Sequence, residues 1–175
     1  KLFTKLKRKD IAILNNDDPC SRKIIKKTKA NILTFGMNND ADLHPLKKIY
    51  SLDGIQSELK YLNNKIQINT NLLGEYNLYN LMAGMATCLS IGVDIDTINN
   101  ALQYKLIIPG RMERVPCAVP GKVFIDYAHT PDACEKIFST LACLSSSEAK
   151  IYTVFGCGGN RDHYKRPQIA KIIEQ

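Results

Sequence analysis

The 175 residues, 45% of them hydrophobic, are enough to bury a core in one domain or two small ones. No apolar run approaches the roughly 20 residues that a membrane-spanning helix needs. The N-terminus KLFTKLKRKD is also too charged for a signal peptide, so a cytoplasmic chain without membrane insertion is expected. The net charge of +7 lies wholly in residues 1–30, where ten Lys or Arg face three Asp; it lacks the interleaved aromatics of a nucleic-acid surface and reads as a solvated face.

Ile11 to Leu14 is a short apolar run closed by Asn15, Asn16, Asp17, Asp18 and Pro19, which predicts a buried strand, a turn and a helix running to about Lys29. Asn31 to Phe35 predicts a second strand, parallel to the first across the helix. Residues 37–46, polar and carrying Pro45, read as loop, with His44 serving no specific role. Ser57 to Tyr61 and Lys65 to Asn69 predict a hairpin turning at Asn63-Asn64, since Asn tolerates positive φ. Tyr76 to Ile91 is apolar on more than one face and predicts a well-buried helix ended by Gly92. Asp94 is the expected N-cap of a helix reaching Tyr104.

Leu106 to Pro109, leading into Gly110, is the expected domain boundary. Beyond it, Lys122 to Ile125 predicts a strand, Pro131 to Leu144 a helix, Lys150 to Phe155 a strand and Arg166 onward a helix, together a parallel β-α-β unit. Six cysteines are dispersed without a CxxC pair, so no metal site is expected; Cys88 and Cys143 read as small buried hydrophobes on helix faces. The chain begins at Lys1 rather than Met and ends within an amphipathic pattern that has no C-cap, so it reads as a piece of a longer protein.

Polar residues gather at the predicted strand ends. Gly156, Gly158 and Gly159 follow an apolar run and permit a tight turn with backbone N–H groups aimed at an anion, with Arg161, Lys165 and Arg166 beside them. Arg161 occupies the third glycine position, so the loop is not a dinucleotide fingerprint. Asp126 ends a strand, where a carboxylate accepts from a ribose hydroxyl, holds a metal-bound water or only caps a turn; His129 follows as a candidate phosphate donor. Asn77 and Asn80 at the head of the apolar helix either read a purine edge or satisfy local N–H groups. Arg111 either contacts phosphate or pairs locally, and no GxxxxGK[ST] phosphate loop occurs.

The stretches ILNNDDP, LLGEYNLYNLMAG, GRMERVPCAVPGK, VFIDYAHTPDA and VFGCGGNRDHYKRP together resemble, in order and over nearly the whole chain, the motifs of the Mur ligase family. The form GCGGNRD with KRP resembles the branch that adds meso-diaminopimelate rather than lysine. The resemblance implies an α/β fold. Residues 1–109 would be the later part of the central ATP-binding domain, and residues 110–175 the first part of a Rossmann-like C-terminal domain. It implies a monomeric ligase using ATP and Mg2+ in peptidoglycan precursor synthesis. Its partners would be a UDP-N-acetylmuramoyl dipeptide, whose D-glutamate is activated as an acyl phosphate, and a diamino acid whose amine attacks it.

By the same resemblance Asn80 contacts adenine, with Asn77 in the preceding motif position. Arg111 reaches ribose or phosphate, Asp126 binds ribose, and His129 is the candidate catalytic residue. Arg161 binds a carboxylate of the diamino acid from a loop that includes Gly159 and Asn160. The family's phosphate loop, carbamylated lysine, magnesium-binding acids and UDP-sugar domain would precede Lys1, and its DNPR sequence would follow Gln175, so these residues alone are expected to show no turnover. Asn160 stands where an acid is commoner. The alternative is a nonenzymatic nucleotide- or anion-binding module or an inactive ligase remnant; folylpolyglutamate synthase shares the implied architecture.

Overall fold

The computed structural model describes residues 2–118, 120–159 and 162–174. The chain divides into two compact units, Lys1–Leu106 and Ile107–Gln175, each described by itself below.

In the first unit a five-stranded sheet runs in the order β1 (Ile11–Asn15), β2 (Asn31–Phe35), β3 (Leu43–Ser51), β4 (Gly54–Tyr61) and β5 (Asn64–Thr70). β1 and β2 pair in parallel from Ile11↔Asn31 to Asn15↔Phe35, as the sequence predicts for strands joined by a helix. That helix, α1 (Pro19–Ile25), starts with Pro at its first position and with the Asp18 carboxylate accepting from Cys20 N–H at 2.8 Å. It stops short of the expected Lys29. Arg22 and Lys26, and Lys23 and Lys27, form like-charged i,i+4 pairs that oppose a further turn.

β3 corrects the expected loop at 37–46. Only Leu43 and His44 of this strand are buried, so it shows no apolar alternation, and Pro45 lies at a bulge between Pro45 and Lys47 where a missing N–H costs no ladder bond. His44 is therefore a buried strand residue with Nδ1 2.7 Å from the Ala41 carbonyl, not an idle loop histidine. The hairpin forms one residue earlier than expected. Tyr61 pairs with Asn64, and the left-handed position falls on Leu62 (φ 54°). Packing of alternate β4 and β5 side chains sets this register and outweighs the local preference of asparagine.

α2 (Glu75–Ser90) lies over β1, β2 and β3, and α3 (Ile95–Ala101) packs on β5. Leu78, Met82, Met85 and Ala86 meet Phe35, Leu43, Ile55, Leu59, Ile66 and Ile68 in the core, joined by Ile98 and Leu102. Past the first turn, Asn80, Gly84 and Thr87 form the only exposed stripe on α2, at the i, i+4, i+7 spacing of one helix face. α2 ends at Gly92 (φ +86°), and Asp94 caps α3 by accepting from Thr97 N–H at 2.8 Å.

The second unit departs from the expected parallel β-α-β pattern. β6 (Glu113–Val115) pairs antiparallel with β7 (Val123–Ile125), and α4 (Pro131–Leu144) packs on α5 (Lys165–Ile173), with Cys134 and Ile169 buried. Lys150 to Phe155 is no strand. A strand exists only by exchanging backbone bonds with a neighbour; this run pairs with none among the described residues, and Tyr152 is 88% exposed. Cys143 is exposed and Cys88 half-buried, so the cysteine that fills a core position is Cys134, where burial, then Asp126 and Cys157, push the thiol pKa up.

Candidate functional site

In the first unit, the parallel strands β1 and β2 end beside the start of α2, the edge at which an open α/β sheet presents ligands to backbone and helix donors. The Asn77 side chain is buried, donates from Nδ2 to the Leu73 carbonyl at 2.8 Å, and accepts from Asn80 Nδ2 at 3.3 Å. Asn77 thus serves the helix start and orients its neighbour. Asn80, on the exposed stripe, retains its carbonyl oxygen and a second N–H, the donor-acceptor pair that a purine edge requires.

Sequence reasoning passes over the residue that ties this edge together. Asp17 accepts from Met37 N–H at 2.6 Å and from the Tyr79 hydroxyl at 2.7 Å on one oxygen, and from Asn38 Nδ2 at 2.6 Å on the other. Burial alone would raise its pKa, but the Met37, Tyr79 and Asn38 bonds, with Lys48 nearby, outweigh burial and hold the carboxyl below its ordinary value. Burial and then Asp17 push the Tyr79 phenol upward, so Tyr79 stays a donor. A Cβ on Gly36 would lie 2.9 Å from Asp17 Oδ2, which explains a glycine at that close approach. The available signal was ILNNDDP, in which the acids read only as a turn.

The second unit carries a compact turn around Arg111. Gly110 (φ +66°) donates its N–H to Glu113 Oε2 at 2.9 Å and accepts from Tyr127 N–H at 2.9 Å, while Met112 (φ 47°) donates its N–H to Asp126 Oδ2 at 2.8 Å. Asp126 Oδ1 also accepts from Ala128 N–H at 2.7 Å. Two carboxylates therefore fix the backbone on either side of Arg111, whose side chain is exposed. Among the described residues each Asp126 oxygen accepts one bond and keeps a further lone pair, so the carboxylate holds the turn with acceptor capacity left for a hydroxyl. His129 Nδ1 is 3.0 Å from the Tyr127 carbonyl, which can only accept, so Nδ1 is the donor of this pair. The side chain is exposed.

Gly159 (φ +66°) turns the glycine-rich loop, and its carbonyl accepts from Arg166 Nη2 at 2.6 Å. Arg166 with Thr153, Phe155, Gly156, Cys157 and Ala170 lines an open groove of about 520 Å³ between this loop and α5. Asn160 and Arg161, expected to face the amino-acid substrate, lie outside the described residues. Among the described residues no group of three or more His, Cys, Asp or Glu is placed to hold a metal ion, and no helix is long and apolar enough to cross a membrane.

At the opposite end of β1 and β2, Thr28 Oγ1 donates to the Phe3 carbonyl at 3.0 Å and Asn31 Nδ2 to the Arg8 carbonyl at 3.2 Å. These bonds bring the basic stretches 5–9 and 22–29 together at the starts of the strands, away from Asp17 at their ends.

Residues 1–88 match the family model of the Mur ligase middle domain, and residues 110–175 that of the Mur ligase glutamate ligase domain. A UDP-N-acetylmuramoyl-L-alanyl-D-glutamate–2,6-diaminopimelate ligase of Bacillus velezensis is 42% identical over 92% of this chain and 32% of its own length. The Geobacter sulfurreducens ligase of the same name is 35% identical over 98% of this chain and 35% of its own. The chain thus spans about a third of the length of the curated relatives it matches. A solved ligase of that name superposes with a TM-score of 0.69 at 31% identity, covering 93% of this chain and 34% of that one. The Mycobacterium tuberculosis folylpolyglutamate synthase complexed with ADP, at 22% identity and a TM-score of 0.62 over 77% of this chain and 30% of that one, shares the fold alone.

Proposed function

The chain belongs to the Mur ligase family, and from that premise we propose that it is part of an ATP-dependent ligase joining meso-diaminopimelate to UDP-N-acetylmuramoyl-L-alanyl-D-glutamate. The observation that carries this reading is the 42% identity to a ligase so named, across 92% of a chain that includes all five motifs. Residues 1–109 are assigned to the central ATP-binding domain and residues 110–175 to the C-terminal domain, in a monomeric cytoplasmic enzyme.

Each residue's part follows from what its atoms leave open. Asn80, oriented by Asn77, offers an amide to adenine. Asp126 accepts from a ribose hydroxyl with the lone pairs that Met112 and Ala128 do not use, and the exposed Arg111 guanidinium meets phosphate or ribose. Among the described residues no group of three or more His, Cys, Asp or Glu is placed to hold Mg2+, and its ligands are assigned to the magnesium-binding acids that the resemblance implies outside this chain. His129, with its Nδ1 proton held by the Tyr127 carbonyl, is assigned to phosphate contact rather than to a defined proton transfer. Arg161, with Gly159 and Asn160, is assigned to a carboxylate of the diamino acid, where a planar two-point contact favours arginine.

The test uses a full-length protein carrying this chain. Arg161→Ala should raise KM for diaminopimelate by about 30- to 150-fold, the equivalent of about 2–3 kcal/mol for one charge-assisted contact, with little change in KM for ATP. Unchanged amino-acid KM would remove the Arg161 assignment. Asp126→Ala should show the opposite signature, a defect in ATP binding, together with lower stability because the Met112 and Ala128 N–H groups lose their acceptor.

A further inference from the structure

We infer that Asp17 is a positioning residue for nucleotide selection, acting through Tyr79 to set the turn of α2 that presents Asn80; the inference rests on the assignment of Asn80 to adenine.

Asp17 follows the end of β1 and reaches two separate pieces of chain. Met37 and Asn38, just past β2, donate to it, and so does Tyr79, 62 residues along the chain on α2. Its three bonds therefore join the ends of two parallel strands to one helix turn. That turn is fixed at three successive points. Asn77 is held by the Leu73 carbonyl, Asn80 is held by Asn77, and Tyr79 is held by Asp17. Tyr79 and Asn80 are adjacent, so on a helix they project about 100° apart: the first turns to the sheet edge and the second to solvent. Rotation or slippage of the turn at Tyr79 would move the Asn80 amide directly, and amide recognition of a base depends on the donor and acceptor being in register.

The Tyr79–Asp17 hydrogen bond is the one described above that joins the β1–β2 edge to this turn. Glu75, in the first turn of α2, is joined to β3 instead, through Lys48 at 3.2 Å and Tyr50 at 3.5 Å. The core contacts of Leu78 and Met82 hold α2 against the sheet but are apolar and non-directional, so they fix its distance better than its rotation.

The experiment measures the preference for ATP over GTP, as the ratio of kcat/KM values, in the full-length protein and its Y79F, D17A, D17N, N80A and Y79F/N80A variants, with thermal stability recorded for each. Y79F and D17A should lower the preference about tenfold, chiefly through KM for ATP, and Y79F/N80A should be no less selective than N80A, because both changes act on one amide. D17N should keep most of the preference, since its side-chain oxygen still accepts from Met37 and Tyr79 while the Asn38 amide turns round to meet its NH2 group. A loss of thermal stability in Y79F and D17A with the preference unchanged would make Asp17 merely structural and overturn the inference, even where N80A loses selectivity. If N80A itself retains the preference, the assignment of Asn80 to adenine fails, and the inference falls with it. Should D17A not fold, Y79F and D17N decide between these outcomes.

Discussion

Asp17 makes stability depend on acid in a direction fixed by its bonds. Its folded pKa lies below its ordinary value of 3.8, so its contribution is fully present above that value and is lost as pH falls through the lower folded pKa. Denaturant titrations should show a shallower acid limb for D17N than for the unaltered protein below about pH 3.8; identical limbs would contradict the bonding described. Two glycines make a second residue-scale contrast. A Cβ on Gly54 (φ +144°) would fall 1.8 Å from the Thr70 carbonyl, a backbone atom inside the β4–β5 pairing, whereas one on Gly110 (φ +66°) would meet the Tyr127 ring at 2.4 Å. Tyr127 is 69% exposed and able to swing away. Gly110→Ala should therefore cost about 1–2 kcal/mol for its left-handed backbone, and Gly54→Ala distinctly more. Thermal denaturation of both variants checks the order.

Caps and strand pairings decided which elements the sequence could reveal. β2, α4 and the Asp94 cap fall where propensity and capping place them, because Asn31 to Phe35, the Thr130-Pro131 start and Asp94 each carry a local signal that the packing does not override. β3 carries no such signal: its outer residues face solvent, its proline sits at a bulge, and it joins β2 through the single pair Phe35↔Leu43. Lys150 to Phe155 has the opposite problem, a strong β pattern that pairs with no strand among the described residues. Thr130 is the cap to test. Its hydroxyl accepts from Ala133 N–H at 3.3 Å, and Thr130→Ala should lower stability by about 1 kcal/mol in a chemical melt. Leu59→Ala, at the centre of β4 and 0% exposed, should cost about 2–5 kcal/mol.

For the whole molecule, most of the candidate residues were legible as motifs, and what was missing were the contacts that hold each of them within its own unit. Asn77, Asn80, Arg111 and Asp126 stand out in sequence because polar residues at strand and helix ends are conspicuous. That Asp126 also holds the Arg111 turn, and that Asp17 holds Tyr79, depends on contacts across 14 and 62 residues that no local pattern encodes. The charge of residues 1–30 is likewise a three-dimensional fact: the basic stretches 5–9 and 22–29 meet at the starts of β1 and β2, while Asp17 lies at their ends. At this scale the property to measure is the ligation itself. Full-length protein supplied with ATP, Mg2+ and UDP-N-acetylmuramoyl-L-alanyl-D-glutamate should be assayed against meso-diaminopimelate, lysine and other diamino acids. The expected result is ATP-dependent formation of the tripeptide product with meso-diaminopimelate as the preferred amine. A clear preference for lysine, or nucleotide binding with no amide product from any diamino acid, would contradict it.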